Sequence, residues 1–192
     1  MFIHILKNSI YLFIILFISC QNSSNSSTEI TVSNTEINTK ASYNNDILGQ
    51  YLRIKDALIS SDIEKINIAT ESLLKVLWNE NDVGIQNLNQ LDKESEDLKI
   101  DQLKKIAQNI LDANDIQIKR KSFFELSQII YDALQNKSLN SNVSSFIFLQ
   151  YCPMAFNNSG GVWLSSEYEI SNPYFGDMML TCGVVRDTIR LF

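Results

Sequence analysis

From Asp46 onward the apolar residues fall at helical spacing. Ile47, Tyr51, Ile54 and Leu58 stand at i, i+4, i+7 and i+11, one face of a helix. Ser60, Ser61 and Asp62 then offer turn and N-cap chemistry, so one helix stops and a second starts. The second aligns Ile66, Ala69, Leu73 and Val76, with Leu77 and Trp78 widening the stripe, and the stretch from Asn79 to Gly84 breaks it. Residues 85–97 fit a short helix or a polar loop equally well. A third helix begins near Leu98 and aligns Leu103, Ile106, Ile110 and Ala113, ending at Asn114 and Asp115. A fourth carries Phe123, Leu126, Ile130 and Ala133, with Ser122 and Glu125 as a capping pair if it starts late. Each apolar stripe must be buried against another, so short joints between amphipathic helices predict an antiparallel four-helix bundle.

After Asn136 the pattern changes. "SFIFLQYCPMAF" is dense in aromatic and β-branched residues, "NNSGG" is turn chemistry, and "VWLSSEYEI" follows, which together predict a β-hairpin. Trp163 and Leu164 are expected to anchor it on the bundle. "NPYFG", Asn172 to Gly176, reads as a rigid turn, followed by a short helix through Met178 to Cys182 closed by Gly183. The expected fold is α+β, mainly α: the bundle, then a C-terminal β-hairpin, then a short terminal turn or helix. Residues 45–192 form a single domain in this reading.

The first residues change the picture of where the domain works. Lys7 is followed by an unbroken apolar run, Ile10 to Ile18, too short to span a bilayer and suited to an export signal. Ile18, Ser19 and Cys20 resemble a bacterial lipobox. The resemblance implies cleavage after residue 19, lipidation of Cys20 and attachment to a membrane through the lipid, outside the cytoplasm. Residues 20–44, rich in Ser, Asn and Thr, then serve as a flexible tether. The net charge is −6 and no basic cluster appears, which argues against nucleic acid as a partner. The one histidine, His4, leaves with the signal, so histidine-dependent hydrolase chemistry and histidine-containing zinc sites are not expected.

With Cys20 lipidated, Cys152 and Cys182 remain, and three readings stay open for them. In an extended segment Cys152 and Met154 share a face. On a helical turn Met178 or Met179 shares a face with Cys182. Brought together, these make a sulfur-only site that suits Cu(I) or Ag(I) and suits calcium or magnesium poorly. Alternatively, the cysteines form a disulfide closing a loop of about 31 residues, which stabilises by about 3 to 4 kcal/mol in the chain-entropy account. Buried thiols and gap-filling methionines are the third reading. Thiol redox catalysis is not expected, because no Cys-x-x-Cys is present, and no other enzyme chemistry is visible. "DKESED", Asp92 to Asp97, reads as a solvated acidic face or an oxygen-ligand cation site. Arg120 reads as a partner for an acid across the bundle or as a surface cap.

"YCPMAFNNSGGVWLSSEYEISNPYFGDMMLTCGVV" resembles the signature of a bacterial domain-of-unknown-function family: CPMA, then Gly and WLS, then NPYFG, then ML-CG. "YLRIKDALISSD" and "IQIKRKSFFELS" resemble its helices, so the likeness covers about residues 46 to 190. Where members often carry His before Cys-Pro-Met, this chain has Tyr151. The resemblance implies an exported protein, sometimes fused to the periplasmic adaptor subunits of copper and silver efflux pumps. The expected function is therefore that of a lipid-anchored, non-enzymatic envelope protein binding a soft metal, Cu(I) above all, in metal handling or efflux. The ligands would be Cys152, Met154, Met178, Met179 and Cys182, and a heavy-metal efflux adaptor the partner. The alternative is a protein-interaction module of the envelope with Cys152 and Cys182 as a structural disulfide.

Overall fold

The computed structural model describes residues 43–79, 93–139, 141 and 143–191, with the side chains of residues 93–98 left out. The expected signal, Cys20 and nearly all of the tether lie outside the described residues, as do all the side chains of "DKESED". Four long helices come first: α1 (Ile47–Ile59), α2 (Ile63–Trp78), α3 (Lys93–Asp112) and α4 (Ile116–Gln135). Each packs on the next in the chain. Among the described residues, no helix is long and apolar enough to cross a membrane.

The helix starts follow from their caps. Asp46 accepts a hydrogen bond from the Gly49 amide at 2.7 Å, and Asp62 accepts one from Lys65 at 3.1 Å. The fourth helix starts earlier than Ser122 and Glu125 suggested. Asp115 is its N-cap, taking the Gln117 amide at 2.6 Å, and Ser122 is buried well inside the helix. The stripe residues Ile47, Tyr51, Ile54, Leu58, Ile66, Leu73, Ile110, Phe123, Leu126 and Ile130 are all essentially inaccessible and form one core. Lys119 is buried too, and its ammonium group donates to the Ile110 carbonyl at 2.5 Å and to Asn67 Oδ1 at 2.8 Å. It thereby closes the C-terminal end of α3, where unpaired carbonyls favour a cation.

The C-terminal part is a sheet of three antiparallel strands and not a hairpin alone. Strands β1 (Phe146–Cys152), β2 (Gly161–Ser165) and β3 (Val184–Arg190) lie in the order β2-β1-β3. The helix expected through Met178 to Cys182 is absent. A single 3-10 turn spans Gly176–Met178, and the chain then extends into β3. The register of β1 with β3 slips between Leu149 and Gln150, which pair with Asp187 and Val185. Arg186 is the extra residue of this bulge, and its guanidinium lies 3.3 Å from the centre of the Tyr151 ring.

Sheet and bundle meet at Tyr51. Its ring stacks on Phe123 at 4.8 Å, its hydroxyl lies 2.8 Å from Ser127 Oγ, and the Leu164 amide donates to it at 2.9 Å. Ser127 already donates to the Phe123 carbonyl, so the phenol is the donor to Ser127. One hydroxyl therefore ties α1, α4 and β2, and burial raises its pKa well above the ordinary phenol range. Trp163 and Leu164 are fully buried against this region, as their anchoring role requires.

Candidate functional site

The two cysteines meet. Cys152 Sγ and Cys182 Sγ are 2.8 Å apart, and both are free thiols. Cys152 is fully buried at the end of β1, opposite Gly161, whereas Cys182 is half-buried. The largest influence on Cys182 is its hydrogen bond with the Cys152 thiol. With partial burial, this pushes its pKa up to about 11, so Cys182 holds its proton at neutral pH.

Two loops deliver these sulfurs. The first leaves β1 at Pro153, which has no amide to continue the ladder. Phe156, Asn157 and Asn158 then follow one another in the left-handed region, at φ of 52°, 56° and 67°. Asn tolerates that conformation, but Phe seldom adopts it. Ring contacts hold Phe156 there, with centroids 4.9 Å from Tyr174 and 5.3 Å from Phe124. Gly160, at φ 83°, closes the turn where a Cβ would run into the Tyr151 ring.

The second loop is clamped by Asn172, which is fully buried. Its side chain donates to the Cys182 carbonyl at 2.7 Å and accepts from the Tyr174 amide at 2.8 Å, while its own amide donates to Leu180 at 2.8 Å. Next to it, the Pro173 carbonyl accepts from Arg120 Nε at 3.0 Å, and the Tyr174 hydroxyl donates to the Val162 carbonyl. Cys182 is thus tied through Asn172 to a segment that Arg120 holds from α4. The sequence presents Asn172 as one residue of a turn. Only its burial identifies it as the group that positions a thiol, and Asn-Pro was its one signal.

The methionines divide. Because β1 stops at Cys152, strand alternation does not carry on to Met154, which is half-exposed beyond Pro153. Met154 and Met179 line a common groove of about 880 Å³ with Phe124, Phe156 and Lys121. Met178 is strongly exposed and lines a different pocket. The Met179 carbonyl accepts from the Cys182 amide at 3.1 Å, a turn and not a helix, so the helical spacing of Met178 and Met179 with Cys182 does not apply. Among the described residues, no group of three or more His, Cys, Asp or Glu is placed to hold a metal ion.

The fold and this sulfur pair define a mainly helical α+β protein with a two-cysteine site at one end of a small sheet. Residues 47–142 match the family described as "Protein of unknown function (DUF3347)", and the chain belongs to that family. The match spans the helices and stops short of β1, so both cysteines lie beyond it. No curated protein matches the chain, and no solved structure does.

Proposed function

We propose that this chain is a lipid-anchored, non-enzymatic protein of the cell envelope that takes up a soft cation, Cu(I) or Ag(I), at Cys152 and Cys182, and passes it to an efflux system. The observation that supports this reading is the convergence of two free thiols, 2.8 Å apart, from segments 30 residues apart in the chain. Each thiol has a thioether close by in sequence, and those thioethers, Met154 and Met179, face one groove. Two thiolates on one metal stand roughly 3.8 Å apart at the sulfur distances of a tetrahedral site, so the pair must open by about 1 Å. Cys182 is the more accessible of the two, and rotation of its side chain can supply the movement while Asn172 holds its backbone carbonyl. The thiols would supply the anionic ligands, and the softness of sulfur would select the ion.

The test is titration of Cu(I) into the reduced full chain against a competing chelator. Tight stoichiometric binding is expected, and it is lost in Cys152→Ser and Cys182→Ser. No binding at micromolar concentration refutes the reading. Because a proton at Cys182 must leave, affinity rises with pH below about 11, by up to about tenfold per pH unit for each proton displaced. Anchoring has its own test: Cys20→Ala is expected to release the protein from membranes, and unchanged attachment refutes lipidation.

The sulfur separation also favours a second reading, an interaction module stapled by a disulfide. Closing from 2.8 Å to the bond length of about 2.05 Å is the smaller movement. Non-reducing mass spectrometry of protein from its native compartment then finds Cys152 joined to Cys182, whereas free thiols there eliminate the staple.

A further inference from the structure

Away from the thiol pair, the starts of α2 and α4 and the segment after Pro173 line an open pocket of about 460 Å³. Arg120 lines it and is only 3% exposed. Its Nε donates to the Pro173 carbonyl at 3.0 Å and its Nη2 to Ser61 Oγ at 3.0 Å, both neutral groups. Nη1 has no partner among the described residues, and none of their carboxylates lies within ion-pair distance of the guanidinium. The acid expected across the bundle is therefore not found among them. Gly176, at φ 56°, lets the backbone pass where a Cβ would meet Ser61 Oγ at 2.7 Å and Arg120 Nη2 at 3.2 Å, so the turn holds the guanidinium in place.

A buried guanidinium keeps its charge, and a buried charge with only neutral partners is costly to the fold. Such a group is well placed to receive an anion from outside. Two further features bear on which anion. Ile63 and Ile116 are the first residues of α2 and α4, so the pocket lies at the positive ends of two helix dipoles, each offset by its capping aspartate. Asp177, exposed, also lines the pocket and adds a negative charge, while Asn114 adds a neutral amide. A dianion would be repelled by Asp177. A monoanionic carboxylate carrying an ammonium group would satisfy Arg120 and Asp177 together.

We propose that this pocket binds a small zwitterionic carboxylate of the amino-acid type. Its carboxylate takes Arg120 Nη1 and the Asn114 amide, and its ammonium group faces Asp177. The full chain with 15N-labelled arginine is titrated with glycine, acetate and inorganic phosphate, and the Arg120 side-chain resonance is followed. Glycine is expected to give a saturable shift with a Kd on the order of millimolar. Acetate and phosphate are expected to bind more weakly. Asn114→Ala should weaken glycine by about tenfold or more, the loss of one hydrogen bond to a charged group. Asp177→Asn should remove the preference for glycine over acetate. Both residues are exposed, so these variants test the site without disturbing the buried arginine. Absence of a saturable shift with glycine up to about 100 mM, well above a millimolar Kd, overturns the proposal. So does phosphate binding as tightly as glycine, or a glycine preference that survives Asp177→Asn.

Discussion

Replacing Tyr51 with phenylalanine removes one oxygen and leaves the stacking on Phe123 in place, so it isolates the hydrogen-bonded link between bundle and sheet. Two bonds are lost. The Leu164 amide, buried in β2, has the phenol oxygen as its acceptor at 2.9 Å, and leaving it orphaned costs about 1 to 3 kcal/mol. Ser127 loses the donated phenol proton but keeps its own bond to the Phe123 carbonyl at 2.8 Å, so that loss adds about 0.5 to 1.5 kcal/mol. The sum is about 1.5 to 4.5 kcal/mol, to be measured by urea unfolding followed by circular dichroism. The control is Tyr131→Phe, which removes a hydroxyl bound to Asp187 at 2.8 Å in a partly exposed place. It should cost under about 1 kcal/mol. If Tyr51→Phe costs no more than Tyr131→Phe, the phenol is not the link described. The pH dependence has a definite sign. The unfolded phenol ionises above about pH 10, while burial keeps the folded one protonated. Stability is therefore full below pH 10 and falls as the pH rises beyond it, and Tyr51→Phe makes that fall shallower. Tyr174, raised by the same cause, supplies part of what remains.

Further outcomes follow from the same structure. Under reducing conditions iodoacetamide should label Cys182 slowly at pH 7.5 and faster as pH rises towards about 11, with Cys152 protected until unfolding; equal labelling of both at neutral pH contradicts the geometry. Asn172→Ala removes the clamp on the Cys182 carbonyl, and should cost about 2 kcal/mol and speed that labelling; an unchanged rate would show that the loop holds itself. Lys119→Ala strips the Ile110 carbonyl and Asn67 of a charged donor, with a loss of about 2 to 3 kcal/mol in thermal or urea unfolding; a loss under about 0.5 kcal/mol would show that water replaces the ammonium group.

The helices are legible in the sequence because their apolar residues repeat at a single spacing and burial follows that spacing. Ile47, Tyr51, Ile54 and Leu58 are all in the core. Helix ends are less legible, since Asp115 and Ser122 are both plausible caps and only tertiary packing chooses between them. The third strand is hidden for a different reason. Its residues alternate between exposed and half-buried, so no clear apolar face marks it, although Val184, Val185, Thr188 and Ile189 are β-branched. The meeting of Cys152 with Cys182 depends on a loop of buried polar groups, Asn172 above all, and no periodicity encodes such contacts. Met154 shows the limit of extrapolating a strand past its last residue, because Pro153 turns the chain before alternation can apply.

The Tyr51 junction also bears on the order in which this chain can fold. Its donor from the sheet, Leu164, lies 113 residues further along the chain, while the helices are joined through near neighbours. Local contacts form quickly, and long loops close slowly. During synthesis the helices are therefore expected to pair before β2 is available to cover Tyr51 and the apolar face around it. During that wait the surface is available to chaperones or to other copies. Mutations at this junction should then raise aggregation during synthesis by more than their effect on equilibrium stability suggests.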